Sequence, residues 1–374
     1  MSLRSRPCRR QFLHGAAATL STLALANCQR SRPLSSPVSP GATESTVTDR
    51  NPPLYLYTWA DYADEDLFDR FTQATGIKVV GQTYDANEVM LTKLQTGAGQ
   101  QFSILYPSDY MVQQMVDLDL LTRLDHDRLP RLADLRSPWQ NPVYDPNNAH
   151  SVPLSWGTTG LIYDTTQIDP GPTDWDFLWD SPSTLAGKLT LLDDMRETLG
   201  AALHALGYSY NATDPNQIRA AFDRLQILKP AIAAFQSFGW ENQLLAGDLA
   251  LCMTYSHLGN ALPAEHTHLK YVIPRSGSSL WTDTMVIPKT APNPEAAYAW
   301  LNFMLEPENA AFAVGKLGFA TPSQAAFELL SPELQQRETL FPPESVLAKC
   351  EGIAPLDPAS SALFDRYWTE LTSS

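Results

Sequence analysis

The sequence predicts an α/β fold, and three observations carry that prediction. Short apolar stretches alternate with amphipathic helical stretches from residue 54 onward, an alternation typical of a parallel sheet covered by helices. Glycine stands where the helical periodicity stops. Aromatic and acidic residues follow two of the strands directly, at the edge where such sheets bind ligands. The length of 374 residues favours two domains.

The first predicted strand and helix open the alternation. "LYLYT", residues 54–58, has strand character, and "EDLFDRFTQATG" follows it. Leu67, Phe68 and Phe71 recur at helical spacing, and Gly76 ends that helix.

The next elements repeat the pattern. "KVVGQ" is predicted as a strand, and "NEVMLTKLQTG" as a helix that begins at Asn87 and ends at Gly97. "FSILYPSDY" is a further strand that runs into a turn. We find no internal repeat and no glycine-rich phosphate loop, so nucleotide binding has no support.

Two strands end in similar sequences, "LYTWADY" and "LYPSDY". Because ligands sit at the carboxyl ends of such strands, we expect Trp59, Asp61, Tyr62, Ser108 and Tyr110 to face one crevice. Aromatic faces beside a carboxylate suit a bound cation. The alternative is that these residues only form turns, with a capping aspartate and a packed tryptophan.

The charge of the chain points the same way. The net charge is −15, and the first 28 residues carry four arginines and no acidic residue, so the remainder carries −19. A chain this acidic repels phosphates, which argues against nucleic-acid binding. It attracts cations, although the charge also serves solubility.

The N-terminus is predicted to be an export segment. Arg9 and Arg10 precede a mildly apolar run, which indicates a twin-arginine signal over residues 1–28. The run is too short and too rich in alanine and threonine to span a membrane. It ends in "LANC", similar to a lipobox, so Cys28 is the predicted lipidation site. Residues 29–53 are rich in proline, serine and threonine and predict a flexible tether.

The two remaining cysteines leave two alternatives open. Cys252 and Cys350 either pair in an oxidising compartment or are separate, and the strand-like surroundings of Cys252 favour a buried, unpaired residue. No cysteine or histidine pattern has zinc spacing. The nearest clusters, at 125–127 and 266–268, are predicted surface loops, so we expect no metal.

From residue 54 to the C-terminus, the sequence resembles the spermidine/putrescine-binding proteins, the polyamine receptors of ABC importers (bacterial solute-binding protein family 1). The resemblance begins with "LYLYTWADYADEDLFDRFTQATGIKVVGQTYDANEVMLTKLQTG". It continues in order through "PSDYMV", "VPLSWGTTGLIYD", "LLDDMRETLGAALHALGYS", "LWTDTMVIP", "LNFMLEPENAA" and "TPSQAAFELLSPE".

This resemblance implies a type II periplasmic-binding-protein fold, in which two α/β lobes hold a ligand between them and close by a hinge. Lobe one is expected at 52–160 plus 282–329, and lobe two at 161–281 plus 330–374. The resemblance also implies a periplasmic monomer without a cofactor, which delivers polyamines to an ABC permease in the inner membrane and catalyses no reaction.

The resemblance implies ligand-binding roles for eleven residues. They are Trp59, Asp61, Tyr62, Ser108, Tyr110, Asp194, Glu197, Tyr255, Trp281, Asp283 and Phe319. Two of them depart from the spermidine-binding pattern, since Tyr255 replaces a tryptophan and Phe319 a tyrosine. A family glutamine near the C-terminus has no evident match, and Ile353 or its neighbours fall there. We expect these departures to alter ligand preference.

The residue types suit a polyamine, which joins charged ends by an apolar chain. Separated carboxylates suit the ammoniums, and aromatic faces suit the methylenes. An anion receptor would need basic residues or helix N-termini at these positions. Each residue also has a structural alternative, and Asp194 with Glu197 forms a capping-box pattern.

Two alternative functions remain open. The first is a receptor of the same fold for another small molecule, such as an amino acid derivative or a metal complex. The second is an exported hydrolase that uses two carboxylates.

Overall fold

The computed structural model describes residues 52–373, without the side chain of Pro182. The predicted export segment, its arginine pair, Cys28 and the tether up to residue 51 lie outside the described residues. Nine strands are described: β1 (Leu54–Trp59), β2 (Val79–Tyr84), β3 (Ile104–Leu105), β4 (Ser151–Asp164), β5 (Leu189–Leu191), β6 (Ile232–Phe235), β7 (Leu251–Tyr255), β8 (Leu269–Val272) and β9 (Leu280–Val286).

Sixteen α-helices are described in the same range. They are α1 (Glu65–Thr75), α2 (Asn87–Gln95), α3 (Asp109–Asp117), α4 (Ser137–Gln140), α5 (Phe177–Asp180), α6 (Pro182–Leu185), α7 (Met195–Ala205), α8 (Pro215–Leu228), α9 (Glu241–Ala246), α10 (Ser256–Glu265), α11 (Pro294–Leu305), α12 (Pro307–Leu317), α13 (Gln324–Leu329), α14 (Pro332–Gln335), α15 (Glu344–Leu347) and α16 (Pro358–Thr372).

The strands form two sheets that share β4. The first sheet has the order β2-β1-β3-β9-β4, and the second contains β4, β7, β5 and β6, with β8 also pairing β4. Residues 151–158 of β4 pair with β9, whereas residues 159–164 pair with β7 and β8. One continuous strand therefore passes from the first sheet into the second, which is the architecture expected of two α/β lobes joined by crossing segments.

The direction of the crossing strands differs from the predicted parallel sheet. β1 runs parallel to β2 and β3, and β5 runs parallel to β6 and β7, as the alternation predicts. β9 is antiparallel to β3 and β4, and β4 is antiparallel to β7. The reason is the path of the chain, because β4 leaves the first sheet and β9 returns to it alongside.

Each sheet is covered by apolar side chains on both faces. In β1, Leu54 and Leu56 pack into a core that includes Phe71 and Trp300, while Tyr57 packs into a second core beneath α2 and α3. This alternation of side chains between two buried faces follows from the pleat of the strand. The second sheet has its own two cores, built mainly with α7, α8 and α16 on one side and α9 and α10 on the other.

Local signals form the helix ends where the sequence predicts them. The Asp64 side chain accepts a hydrogen bond from the Leu67 amide at the start of α1, and Gly76 ends this helix with a φ of 74°. The helix that begins at Asn87 stops at Gln95, two residues before the predicted Gly97.

The two cysteines in the described part of the chain are unpaired. Cys252 is fully buried in β7, and neither Cys252 nor Cys350 forms a disulfide. Residues 52–373 include no helix with the length and apolarity to cross a bilayer. No three or more histidine, cysteine, aspartate or glutamate side chains in these residues are placed so that they could hold a metal ion together.

Candidate ligand-binding cleft

A cavity of about 470 Å³ lies where elements of the two sheets face each other. All eleven residues predicted from the sequence line it, together with Ile353. Trp59, Asp61 and Tyr62 reach it from the end of β1 and the 3₁₀ turn that follows. Residues at the carboxyl end of a strand and the start of a helix are positioned by the backbone of the sheet, so the crevice is formed by the fold itself.

Asp283 is fixed by side chains from distant parts of the chain. It lies on β9, where Tyr62 donates a hydrogen bond to Oδ2 at 2.8 Å and Ser108 donates one to Oδ1 at 2.9 Å. The Tyr62 hydroxyl also contacts the hydroxyl of Ser155. Each carboxylate oxygen thus has one protein donor and retains a free lone pair for a ligand.

Aromatic rings form a wall beside Asp283. Tyr62 and Phe319 are stacked with ring centroids 4.4 Å apart. Trp281 meets Phe319 and Tyr255 edge-on, with both centroid distances at 6.0 Å. A side chain at Gly157 would place its Cβ 2.3 Å from the Trp281 ring, so glycine in β4 is what allows the indole to lie in this position.

The carboxylates of the second sheet stand at the start of α7. Asp194 is the N-cap, and its side chain accepts hydrogen bonds from the backbone amides of Arg196 and Glu197. Glu197 accepts from the Ser279 hydroxyl at 2.8 and 2.9 Å. Asp194 therefore has the structural role considered from the sequence and also lines the cavity.

Tyr110 connects the cleft to helix α2. Its hydroxyl donates to Glu88 at 3.1 Å and accepts from the Asn87 amide at 3.0 Å. The Asn87 side chain also accepts from the backbone amide of Ser108 at 3.2 Å. These bonds hold the α2 terminus against the turn that follows β3.

Burial raises the pKa values of the cleft carboxylates. Removal from water raises the pKa of Asp283 to about 6, although the hydroxyls of Tyr62 and Ser108 act in the opposite direction. Burial, and then the charge of Asp194, raise the pKa of Glu197 to about 8. Burial also raises the pKa of Asp109 to about 8 and increases that of Glu88. A bound cation would reverse these shifts by stabilising the charged forms.

The cavity lining is strongly acidic. Nine of its residues are carboxylates: Asp61, Asp85, Glu88, Asp109, Asp193, Asp194, Glu197, Asp283 and Asp365. Arg196 is the one lysine or arginine among the described lining residues. Its guanidinium donates to the Ala354 carbonyl at 2.8 Å and to the Asn211 side chain at 3.1 Å. Because these partners lie outside the lining, both terminal nitrogens of the arginine are held by the protein, and the excess of carboxylates favours a cationic ligand.

Several lining residues were not among the ligand-binding residues predicted from the sequence. They include Asp85, Asn87, Glu88, Asp109, Asp193, Arg196, Phe238, His257, Asp365 and Trp368. Asn87 was visible as a helix start, and Asp109 stood in the turn predicted after a strand. Asp365, Trp368 and His257 carry no such signal, because tertiary packing brings α16 and α10 to the cleft.

An acidic, aromatic cleft between two α/β sheets joined by crossing strands defines a small-molecule receptor of the type II binding-protein class. The model of the bacterial extracellular solute-binding protein family matches residues 66–342. The chain belongs to this family, which confirms the family relationship and the fold predicted from the sequence.

Named relatives cover most of the chain. It is 36% identical over 324 residues to the spermidine/putrescine-binding periplasmic protein of Salmonella typhimurium, covering 86% of this chain and 92% of the relative. It is 31% identical over 348 residues to the putrescine/cadaverine-binding protein of Pseudomonas aeruginosa, covering 88% and 96%. A solved spermidine/putrescine ABC transporter substrate-binding protein of Streptococcus pneumoniae matches with a TM-score of 0.77 and 35% identity, covering 86% and 99%.

Proposed function

We propose that this protein is the extracytoplasmic receptor of an ABC importer and binds polyamines in the cleft between its two sheets. The observation that carries the proposal is the lining of the cavity, which contains nine carboxylates and several aromatic rings. The one arginine among its described residues, Arg196, is hydrogen-bonded to the protein. The relatives are a spermidine/putrescine-binding and a putrescine/cadaverine-binding protein, which supports the same ligand class. The proposed role is binding and delivery to a permease, without catalysis.

The geometry suggests a division of roles. Asp283 holds one ammonium, because both of its oxygens are oriented by hydroxyl donors. Asp194 and Glu197 hold another from the opposite sheet. Trp281 and Tyr255, which meet edge-on, offer faces to the methylenes and to the cations, with each contact worth about 0.5–2 kcal/mol.

The test is calorimetric titration of the purified protein with putrescine, cadaverine, spermidine and spermine. Glutamate and γ-aminobutyrate serve as matched controls, because they carry a single ammonium beside one or two carboxylates. We expect binding of the polyamines and none of the controls. Binding of a control with no binding of any polyamine would contradict the proposal and favour another small molecule.

The ligand preference is expected to be broad. Tyr255 and Phe319 replace a tryptophan and a tyrosine of the spermidine-binding pattern, and Ile353 lines the cavity near the expected glutamine. The carboxylates are retained, so we expect both putrescine and spermidine to bind. The difference in binding free energy should stay below about 3 kcal/mol, the value of a few altered polar and stacking contacts. Exclusive binding of one ligand would contradict this account of selectivity.

We also propose that the lobes, 52–160 plus 282–329 and 161–281 plus 330–374, close on the ligand as a hinge. Leu330, Leu340 and Phe341 pack into the core of the first sheet, so the chain after residue 329 first packs with the first lobe, and α16 packs with the second. Small-angle scattering should show a smaller radius of gyration on adding putrescine. An unchanged radius would contradict closure.

Export and anchoring complete the proposal. We propose that Arg9 and Arg10 direct twin-arginine export to the periplasm and that Cys28 carries a lipid. Changing both arginines to lysine should leave precursor in the cytoplasm, and Cys28→Ser should release the protein from the membrane fraction. A wild-type protein found in the soluble periplasmic fraction would defeat lipidation and leave export standing.

A further inference from the structure

His257 is the residue of the cleft wall whose contacts the proposed function does not use. It lies in the first turn of α10, directly after β7, and only 6% of its surface is exposed. Its Nε2 lies 3.1 Å from Oδ2 of Asp61, which stands in the 3₁₀ turn after β1. The bond therefore joins an element of the second sheet to an element of the first, across the cavity that both residues line.

The pair uses Asp61 in a specific way. A carboxylate accepts hydrogen bonds only, so the imidazole donates from Nε2. Within residues 52–373, this imidazole is the one donor brought to the Asp61 side chain. Asp283, in contrast, is oriented by two hydroxyls from elements of the first sheet. Asp61 is therefore held from the second sheet, by a ring that also covers its Oδ2.

The imidazole ring also takes up space in the aromatic wall. Its centroid lies 4.6 Å from the Phe319 ring and 6.2 Å from the Tyr255 ring. His257 therefore fills the volume between these two rings and orients the carboxylate next to them. A ligand that needs a further ammonium site at this end meets the imidazole ring, which occupies the space beside Oδ2 of Asp61.

We propose that His257 is a specificity-determining residue, which covers Asp61 and fills the space beside it and so favours diamines over longer polyamines. The inference rests on the proposed function and deepens it. Asp61 then acts on the ligand through His257, whereas Asp283, Asp194 and Glu197 remain the ammonium partners.

The test compares the affinities for putrescine, a diamine, and spermidine, a triamine, in matched variants. His257→Ala opens the space and releases Asp61, so the spermidine-to-putrescine affinity ratio should rise about fivefold or more, since a free carboxylate gains a charge-assisted bond. His257→Gln retains an amide donor for Asp61 and should shift the ratio much less. Asp61→Asn alone should change both affinities by less than about threefold.

A double variant makes the test specific. In the His257→Ala background, Asp61→Asn should abolish the gained preference for spermidine, because the released carboxylate is then absent. An unchanged ratio in His257→Ala would overturn the proposal. A loss of about tenfold or more in Asp61→Asn alone would also overturn it, because Asp61 would then contact the ligand directly.

A control variant tests whether the loss of any hydrogen bond from α10 to a neighbouring segment would change the ligand preference. Asn260, on the same helix, donates to the Thr339 carbonyl at 3.0 Å and does not line the cavity. Asn260→Ala should weaken both ligands alike and leave their ratio unchanged. A ratio shift in this variant equal to that of His257→Ala would overturn the role of His257 in selectivity.

Folding and ligand class are controlled separately. Thermal melting checks each variant, and if His257→Ala fails to fold, His257→Ser replaces it, because serine opens the same space and is too short to reach Asp61. An unchanged spermidine-to-putrescine ratio in that variant would overturn the proposal. If the unaltered protein binds no polyamine, the proposed function and this inference both fall. If it binds polyamines and the His257 and Asp61 variants retain its ratio and affinities, only this inference falls.

Discussion

The two carboxylate ends of the cleft are held by different means. Asp283 is oriented by the hydroxyls of Tyr62 and Ser108, which reach it from separate elements of the first lobe. Asp194 is oriented by the backbone amides of its own helix, α7. The first end thus depends on tertiary packing and the second on local helix structure. Asp283→Asn should therefore weaken binding without lowering stability, whereas Asp194→Ala should lower both.

The largest expected effect tests the first end. Asp283→Asn keeps the shape and removes the charge, so an ammonium loses a charge-assisted bond worth about 1.5–3 kcal/mol. Polyamine affinity should fall about tenfold or more, as measured by calorimetry. The free energy of unfolding without ligand should not fall at pH 8, because a buried charge has been removed. Unchanged polyamine affinity would remove Asp283 from the site.

The dependence on pH should be the next largest effect and should sharpen the comparison. Burial raises the pKa of Asp283 to about 6, and polyamine amines stay protonated well above that pH. Affinity should therefore rise about tenfold or more from pH 5 to pH 7, with protons released on binding. Calorimetry in two buffers of different ionisation enthalpy measures the release. A flat profile would contradict the linkage, and Asp283→Asn should reduce its slope.

The sign is opposite for the ligand-free fold. A carboxylate whose pKa is raised by folding is protonated in both states below its unfolded pKa, near 4, and costs no stability there. The free energy of unfolding then falls as pH rises through the pKa of the folded state. Stability should fall from about pH 4 up to the folded pKa values, which are about 6 for Asp283 and about 8 for Glu197. Added polyamine should therefore raise the melting temperature more at pH 8 than at pH 5.

The smallest effect tests the second end. Asp194→Ala removes the N-cap of α7 and should lower the free energy of unfolding by about 0.5–2 kcal/mol. Asp194→Asn keeps a capping side chain, so the free energy of unfolding should change by only a few tenths of a kcal/mol, while polyamine affinity falls. Denaturant unfolding and calorimetry separate the two quantities. Full affinity in Asp194→Asn would assign Asp194 to the cap alone and break the comparison.

The sequence predicted what depends on chain order and missed what depends on packing. Trp59, Tyr62 and Ser108 meet because strand ends in an α/β sheet share one edge, and this was visible in two short motifs. The antiparallel direction of β4 and β9 could not be predicted, because a strand buried on both faces has the same continuous apolar sequence in either kind of sheet. His257 was missed because a histidine after an apolar strand gives no indication of a partner far away in the sequence.

The shared strand also has a kinetic consequence. The pairing of Ser151 with Val286 closes a long loop, which costs about 4 kcal/mol in chain entropy if the intervening chain is unstructured. Once the second lobe has folded, the Ser278 hydroxyl donates to the Thr159 carbonyl, so the two ends of that loop already lie side by side. The inserted part of the second lobe, residues 161–281, is therefore expected to form first and to template the closing of the sheet around it, and α16 packs onto it afterwards. Slow formation of β7 should delay both lobes, whereas disruption of α1 should delay only the first.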